Sequence, residues 1–368
     1  MKISDMKLWY QIDHVEDVPS PQLVVYPDRV EHNIREAIAM VGDVSRLRPH
    51  IKTNKTAEVV RMMIHAGITK FKFATAEEGA LLAEEKAADV LMAYQPVGPR
   101  VGQLADLIIN FPATTFSCVL DHPTAAERLN NEFARLNLTI DVYIDLNVGM
   151  NRTGVGLEKA FDLYTFCASL PALHVRGIHA YDGHLRDPDI NKRRAMCNEL
   201  FKKVEDLADR IVSSGLAKPL IIAGGSPSFP IHAERKDVEC SPGTFVLWDQ
   251  GYGSICSEQP FLAAALVVTR VLSLPAPGRI CIDMGHKAIA SENDISKRVV
   301  FLNAPGLNLI SQSEEHGVVD VAEGHPYLPG DVLYALPYHI CPTVNMYQQM
   351  MVITEHRAKD SWYIKARH

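Results

Sequence analysis

The sequence predicts an α/β protein, a (β/α)8 barrel of the TIM type followed by a C-terminal all-β domain. Three observations carry this expectation. From residue 22, short β-branched runs alternate with longer amphipathic stretches in eight successive strand–helix units, which points to a closed parallel barrel rather than an open sheet. After about residue 250 the pattern changes to short strands separated by Pro and Gly turns, with no long helix. The chain has 368 residues, 47% of them hydrophobic, which is enough for two domains and an ample core. The barrel is expected over 20–250, and residues 1–19 together with 251–368 are expected to form the β-rich domain.

In order, the barrel strands are expected at 23–26, 45–50, 70–74, 89–94, 115–120, 139–146, 174–181 and 220–223. Helical patterns lie between them, as at 29–41, 76–86, 124–135, 157–170 and 191–212. In the second domain, 264–272, 280–283, 299–302, 307–311, 332–335, 350–354 and 362–364 read as strands.

Composition narrows the function classes. The formal net charge is −7 and no long Lys/Arg run occurs, which argues against nucleic acid or an anionic membrane as partner. Residues 1–21 lack the apolar stretch of a signal peptide, and the longest apolar run, 261–268, is far too short to span a bilayer. The seven cysteines are scattered with no CxxC pair, which fits reduced thiols in a cytoplasm.

The candidate chemistry gathers on the barrel rim, where the loops after the strands share one face. Lys52 falls in Arg48-Pro49-His50-Ile51-Lys52-Thr53-Asn54-Lys55, after the strand at 45–50 and before a helix opened by Thr56-Ala57-Glu58. Desolvation or neighbouring cations release the proton of such a lysine, and Arg48, Lys55 and His50 are the cations at hand. The free amine is then a nucleophile for a Schiff base with a carbonyl cofactor; a solvated loop lysine is the plainer alternative. Other rim loops carry Thr75 and Glu77, Tyr94-Gln95, Asp121-His122, the run 147–152 and Tyr181-Asp182-Gly183-His184. Gly224-Gly225-Ser226 follows the last expected strand, where backbone N–H groups can approach a phosphate. A lysine and a phosphate cradle on one rim are what pyridoxal 5′-phosphate requires.

Arg152 is placed as a cation near the cofactor or a substrate carboxylate, with a surface ion pair as the alternative. Tyr181 and His184 are candidates to flank the ring or move protons, and His179 is expected to point into the barrel as a packed residue. Far along the chain, His339 and Cys341 stand two apart in a stretch read as extended, so both side chains face one way and can chelate one metal. Imidazole with thiolate favours zinc, with manganese as the alternative divalent ion.

Together these residues resemble the D-threonine aldolase / D-serine dehydratase family, which shares the alanine-racemase-type barrel of fold type III PLP enzymes. The resemblance covers nearly the whole chain and is carried by R-P-H-I-K-T-N-K at 48–55, A-T-A-E-E at 74–78 and D-L-N-V-G-M-N-R-T-G at 145–154. It continues in G-I-H-A-Y-D-G-H at 177–184, G-G-S-P-S-F at 224–229 and S-P-G-T-F at 241–245. The last marks are D-M-G-H-K-A at 283–288, S-E-E-H-G at 313–317 and H-I-C-P-T-V-N at 339–345. The resemblance implies that Lys52 carries the cofactor, that the 224–226 loop holds its phosphate, and that His339 and Cys341 bind the family's divalent metal. It also implies a homodimer whose active site joins one subunit's barrel to the other's β domain. Two positions depart from the family pattern: Asn54 stands where a histidine is frequent, and His179 where a glutamine is common.

Two lyase reactions on D-amino acids fit this set. In an aldolase, a base, for which His184 is the candidate, takes the β-hydroxyl proton and the Cα–Cβ bond of D-threonine breaks to glycine and an aldehyde. In a dehydratase, Lys52 takes the α-proton and D-serine yields pyruvate and ammonia. The aldolase is the preferred expectation. An amino-acid racemase and a non-catalytic PLP-binding protein are the competitors, and neither has a use for the metal pair.

Overall fold

The structure is a computed structural model that describes residues 7–367. It divides into two compact units. One holds 34–245, 255–259 and the residues from 366; the other holds the residues up to 33, 246–254 and 260–365.

The first unit is built on parallel strands in the order Lys70–Phe73, Asp89–Met92, Thr115–Leu120, Ile140–Asn147, Leu173–Ala180, Leu220–Ala223 and Val238–Cys240. Leu220–Ala223 is apolar throughout, as a strand buried on both faces favours, whereas the other strands carry polar or charged residues among their apolar ones. Residues 47–50 close the ring: Leu47 pairs with Cys240 and His50 with Lys72, both in parallel. Arg48 N–H donates to Cys240 O at 2.9 Å, His50 N–H to Pro242 O at 3.0 Å, and Lys72 N–H to Pro49 O at 2.8 Å. Pro49 has no N–H to give, and this position asks only for its carbonyl. Leu91, Val119, Tyr143 and Ile222 form one buried cluster from four strands, which only interior positions can reach. Outside, the helix Ile190–Ser213 turns Cys197, Phe201, Val204, Leu207, Ala208 and Ile211 inward at helical spacing.

Eight staves are therefore present, but not the eight that the sequence predicts. The run expected at 23–26 forms Gln22–Val25 in the other unit, antiparallel to Ala265–Ala276 and parallel to Gln349–Thr354. Its place in the barrel is taken by Val238–Cys240, a three-residue strand with a charged middle residue and no alternation to mark it. Leu23, Val24 and Val25 are fully buried, and an apolar run of this length looks the same in either sheet. The strand expected at 45–50 is also shorter, because Val44–Arg46 is a 3-10 turn capped by the Asp43 side chain, which accepts from Ser45 N–H.

In the second unit the sheet runs Asn308–Gln312, Gly317–Asp320, Arg279–Ile282, Ala265–Ala276, Gln22–Val25, Gln349–Thr354, Arg357–Tyr363. Val332–Pro337 pairs with both Ala265–Ala276 and Val299–Phe301. Its core joins Tyr10, Ile12 and Val18 to Val24, Tyr26, Leu266, Val268, Tyr334, Leu336 and Ile353. The strand Gly317–Asp320 and the short helix Ile340–Met346 are additions to the sequence reading. Among the described residues no helix is long and apolar enough to cross a membrane.

Gly177 marks the tightest strand contact in the barrel, since a Cβ there would lie 1.9 Å from the Leu220 carbonyl oxygen. Gly177→Ala is expected to destabilise the protein by about 3 kcal/mol, the upper end for overpacking, seen as a lower urea midpoint. An unchanged midpoint would mean that these strands tolerate a wider spacing.

Candidate active site

The closing segment delivers Lys52 to the rim. Ile51–Thr53 is a 3-10 turn whose N-cap, His50, accepts the Lys52 N–H on Nδ1 at 3.2 Å, and the Lys52 side chain is exposed. Asn54 Oδ1 accepts from Thr56 N–H at 3.3 Å, just before the helix Ala57–His65. This is the local hydrogen bond that the asparagine brings to the loop.

The cations around Lys52 differ from those that the sequence predicts. Arg48 is fully buried and gives both terminal nitrogens to Asp89, each at 2.7 Å, and Nε to Glu239 at 2.7 Å. Lys55 pairs with Glu78 at 2.5 Å and donates to Ala366 O at 3.1 Å. His50 is held well below its ordinary value by burial and then by Lys52 and Lys72, so it is neutral. Among the described residues, Lys72 and Arg152 are the cations near Lys52 that bond no carboxylate directly. Lys72 lies on the strand Lys70–Phe73, between Phe71 and Phe73, and is 3% exposed. Its Nζ lies 2.7 Å from His179 Nε2, and His179 Nδ1 lies 2.6 Å from Asp145 Oδ1. Burial pushes the Lys72 amine down; Asp145 opposes this, while Lys52, Arg48 and Arg152 add to it, and the result is about 7. His179 is lowered by burial and by Lys72, against Asp145. It points into the barrel as expected, as one member of a hydrogen-bonded chain. Sequence reasoning missed Lys72 and the part played by Asp145. A lysine inside a strand of phenylalanines was the available signal.

With the strands recounted, Gly224-Gly225-Ser226 follows the seventh stave and residues 241–244 the eighth, and both loops are buried or nearly so. The glycines provide room rather than donors. Gly224 N–H is used by Ala180 O at 3.0 Å and Gly225 N–H by Ser228 Oγ at 3.2 Å. A Cβ on Gly224, whose φ is +80°, would lie 2.6 Å from the His232 ring, and one on Gly225 would lie 2.8 Å from the Tyr181 ring. Beside them Ser241 Oγ is buried without a hydrogen-bond partner, although Ser241 N–H reaches Ala223 O at 3.3 Å. The two glycines thus admit the close approach of the His232 and Tyr181 rings, and the Ser241 hydroxyl, unpaired among the described residues, is the group here that suits a phosphate.

Tyr181 is half-buried against Gly225, and the Arg152 guanidinium lies 5.0 Å over its ring. His184 packs on Gly149, where a Cβ would lie 2.9 Å from Nε2, and its Nδ1 is buried without a partner. Behind the cradle, Asp182 Oδ2 pairs with His232 Nε2 at 2.8 Å and Asp182 Oδ1 accepts from Ser228 Oγ at 2.5 Å. Cys197 Sγ lies 3.5 Å from that imidazole and 3.7 Å from the carboxylate. Asp182, Cys197 and His232 could thus share a cation by distance alone. The donor logic favours hydrogen bonds instead. Arg235 Nη1 lies 3.2 Å from His232 Nδ1 and can only donate, so Nε2 carries the proton given to Asp182. Burial, and then Asp182, also push the Cys197 thiol up to about 12, away from the thiolate that a metal binds.

In the β-rich unit, His339 is the N-cap of Ile340–Met346, so Cys341 lies in a helix and not in the extended stretch that the sequence suggests. Asp249 Oδ2 anchors this turn by accepting from Ile340 N–H at 3.1 Å. The two side chains still meet. Burial alone would lower the imidazole, but Cys341, Glu292 and Asp249 raise it to about 9, and Nδ1 is bonded to Glu292. Imidazole, thiol and a neighbouring carboxylate are a donor set suited to zinc. Glu292 had no motif to reveal it.

Asp182→Ala is expected to cost about 3–5 kcal/mol, because it strands His232 and Ser228 in a buried site, and urea unfolding would read this as a lower midpoint. A loss below about 1 kcal/mol would mean that the cluster does not brace the loop.

Residues 25–247 match the family described as "Alanine racemase, N-terminal domain", and residues 264–353 that described as "Putative serine dehydratase domain". The chain is 28% identical to a D-threonine aldolase of an Arthrobacter species, over 96% of this chain and 94% of the relative. It is 22% identical to a D-threo-3-hydroxyaspartate dehydratase of a Delftia strain, over 95% of this chain and 98% of the relative. The solved structure of D-threonine aldolase from Filomicrobium marinum shares the fold with a TM-score of 0.87 at 24% identity, covering 95% of this chain and 96% of that one.

Proposed function

This chain belongs to the alanine racemase N-terminal domain family, and on that premise we propose that it is a pyridoxal 5′-phosphate- and metal-dependent lyase acting on D-3-hydroxy amino acids, in first place a D-threonine aldolase. The observation that carries this reading is an exposed lysine on the barrel rim together with a buried glycine loop on the same rim, beside which the Ser241 hydroxyl has no partner among the described residues. Lys52 is the attachment point for the cofactor. The loop Gly224-Gly225-Ser226 receives its phosphate, and Ser226 and Ser241 supply hydroxyl donors. Tyr181 flanks the ring, and Arg152, over Tyr181, presents a cation to the ring oxygen or the substrate carboxylate.

When bound, the cofactor provides an electron sink for charge developing at the substrate Cα. His184 accepts the β-hydroxyl proton in this reading, and among the described residues its Nδ1 has no hydrogen-bond partner. His339 and Cys341, supported by Glu292, would hold the divalent ion, zinc before manganese, whose chemistry would be to lower the pKa of a bound hydroxyl. The functional molecule in this reading is a homodimer.

Product analysis tests the reading. Purified protein with PLP and zinc or manganese is expected to convert D-threonine to glycine and acetaldehyde, with activity lost on chelation. Pyruvate from D-serine in the parallel assay would make it a dehydratase, and absence of both products would return the racemase and the carrier. Lys52→Ala is expected to remove the visible absorption band of the bound cofactor; survival of that band would move the attachment point elsewhere. The double change His339→Ala with Cys341→Ala is expected to leave that band in place while metal-dependent turnover falls by more than the ~100-fold seen for outer-shell changes. Undiminished turnover would remove both residues from the metal site.

A further inference from the structure

We propose that Lys72, hydrogen-bonded through His179 to Asp145, is a positioning residue of the Lys52 site, a buried amine that holds or releases one proton beside Lys52 and so sets the charge met there by a bound anion. The geometry fixes the direction of the chain. Asp145 can only accept, so His179 Nδ1 carries a proton toward it at 2.6 Å. His179 Nε2 is then the acceptor for a Lys72 N–H at 2.7 Å, a bond that an ammonium and a neutral amine can both make. The chain therefore survives whether Lys72 is charged or not. A structural lysine would instead be expected to hold a carboxylate directly, as Lys55 holds Glu78.

The surroundings make that proton easy to lose. Facing Lys72 are His179 and Asp145 from their strands, Arg152 from the following loop, and Arg48, His50 and Lys52 from the closing segment. Arg48 is matched by Asp89 and Glu239, and His50 is neutral, so Lys52 and Arg152 remain as unmatched like charges against the single carboxylate of Asp145. Burial and these charges bring the Lys72 amine to about 7. Below that pH the floor of the site carries one more positive charge, and above it one less. His50 ties the two lysines together: it pairs with Lys72 across the barrel closure, and its ring accepts the Lys52 N–H. The consequence for cofactor chemistry rests on the lyase reading, whereas the proton-holding itself is a property of the protein without cofactor.

The test uses both forms of the full chain. In cofactor-free protein labelled at histidine Cε1, the His179 resonance, assigned by its loss in His179→Gln, is expected to shift in a single step near pH 7 and to lose that step in Lys72→Met or, if that variant does not fold, in Lys72→Gln. In the holoenzyme, Lys72→Met is expected to move the pH midpoint of the visible cofactor band by half a unit or more. His179→Gln, whose amide can accept from Lys72 and donate to Asp145, is expected to keep the wild-type midpoint. No step between pH 6 and 8, or a step that persists without Lys72, would overturn the proposal. So would a band midpoint unmoved by Lys72→Met. An NMR step as expected, with no visible band in the wild type, would support the proton-holding chain and refute the cofactor reading.

Discussion

One guanidinium holds the junction on which the barrel depends. A closed sheet must bring its last strand against its first, and here both joining pieces are short: residues 47–50 and Val238–Cys240. Arg48 lies in the first of them. Its backbone pairs with Cys240, its Nε bonds Glu239 in the last strand, and its terminal nitrogens bond Asp89 on Asp89–Met92. Lys70 adds a second cation to Glu239. A buried arginine is costly when unmatched, and losing one partner of such a group typically costs about 3–5 kcal/mol. With two carboxylates in bonding range, the charge becomes a clasp that selects one closure over others.

That clasp also separates structural charge from functional charge. Asp89, Lys70 and Glu239 stand at or next to the first residues of their strands, so the paired charges gather at the end of the barrel away from the rim. At the rim end the same segment turns through Ile51–Thr53 and leaves Lys52 exposed. The cations there that bond no carboxylate directly among the described residues, Lys72 and Arg152, come from other strands and loops. A reactive amine benefits from like charge nearby and a cofactor phosphate from positive potential, and a single unneutralised cluster serves both.

The anion cradle depends on support of a different kind. Its two glycines let the His232 and Tyr181 rings come close to the loop, and a set of hydrogen-bonded groups braces it. Arg235 fixes the His232 tautomer, His232 donates to Asp182, and Ser228 joins Asp182 to the Gly225 N–H. Against the effect of burial, His232 and Ser228 hold the Asp182 carboxyl below its ordinary value, so it stays ionised as the common acceptor. No two of these residues are closer than three positions in sequence, and only Gly225 and Ser228 share a motif, G-G-S-P-S-F at 224–229.

The sequence by itself determined the alternation of strands and helices, the change to a β-rich region after about residue 250, and the lysine, glycine and His-x-Cys motifs, because periodicity and local residue chemistry are properties of neighbours along the chain. It also determined that Lys52 follows an extended segment and that His179 faces inward. Only the tertiary structure decided which runs became staves. Gln22–Val25 reads as a strand without saying which sheet takes it, Val238–Cys240 hardly reads as one, and the sheet of each is chosen by the partners available to pair with it. Only the fold, too, decided which cations near Lys52 keep their charge. Arg48 and Lys55 lie within four residues of Lys52 and are neutralised by Asp89, Glu239 and Glu78, whereas Lys72 is distant in sequence and bonds no carboxylate directly among the described residues. Electrostatic environment is set by distance in space, and a chain folded into a ring places residues 48, 72, 145 and 179 around one point that no spacing along the sequence describes.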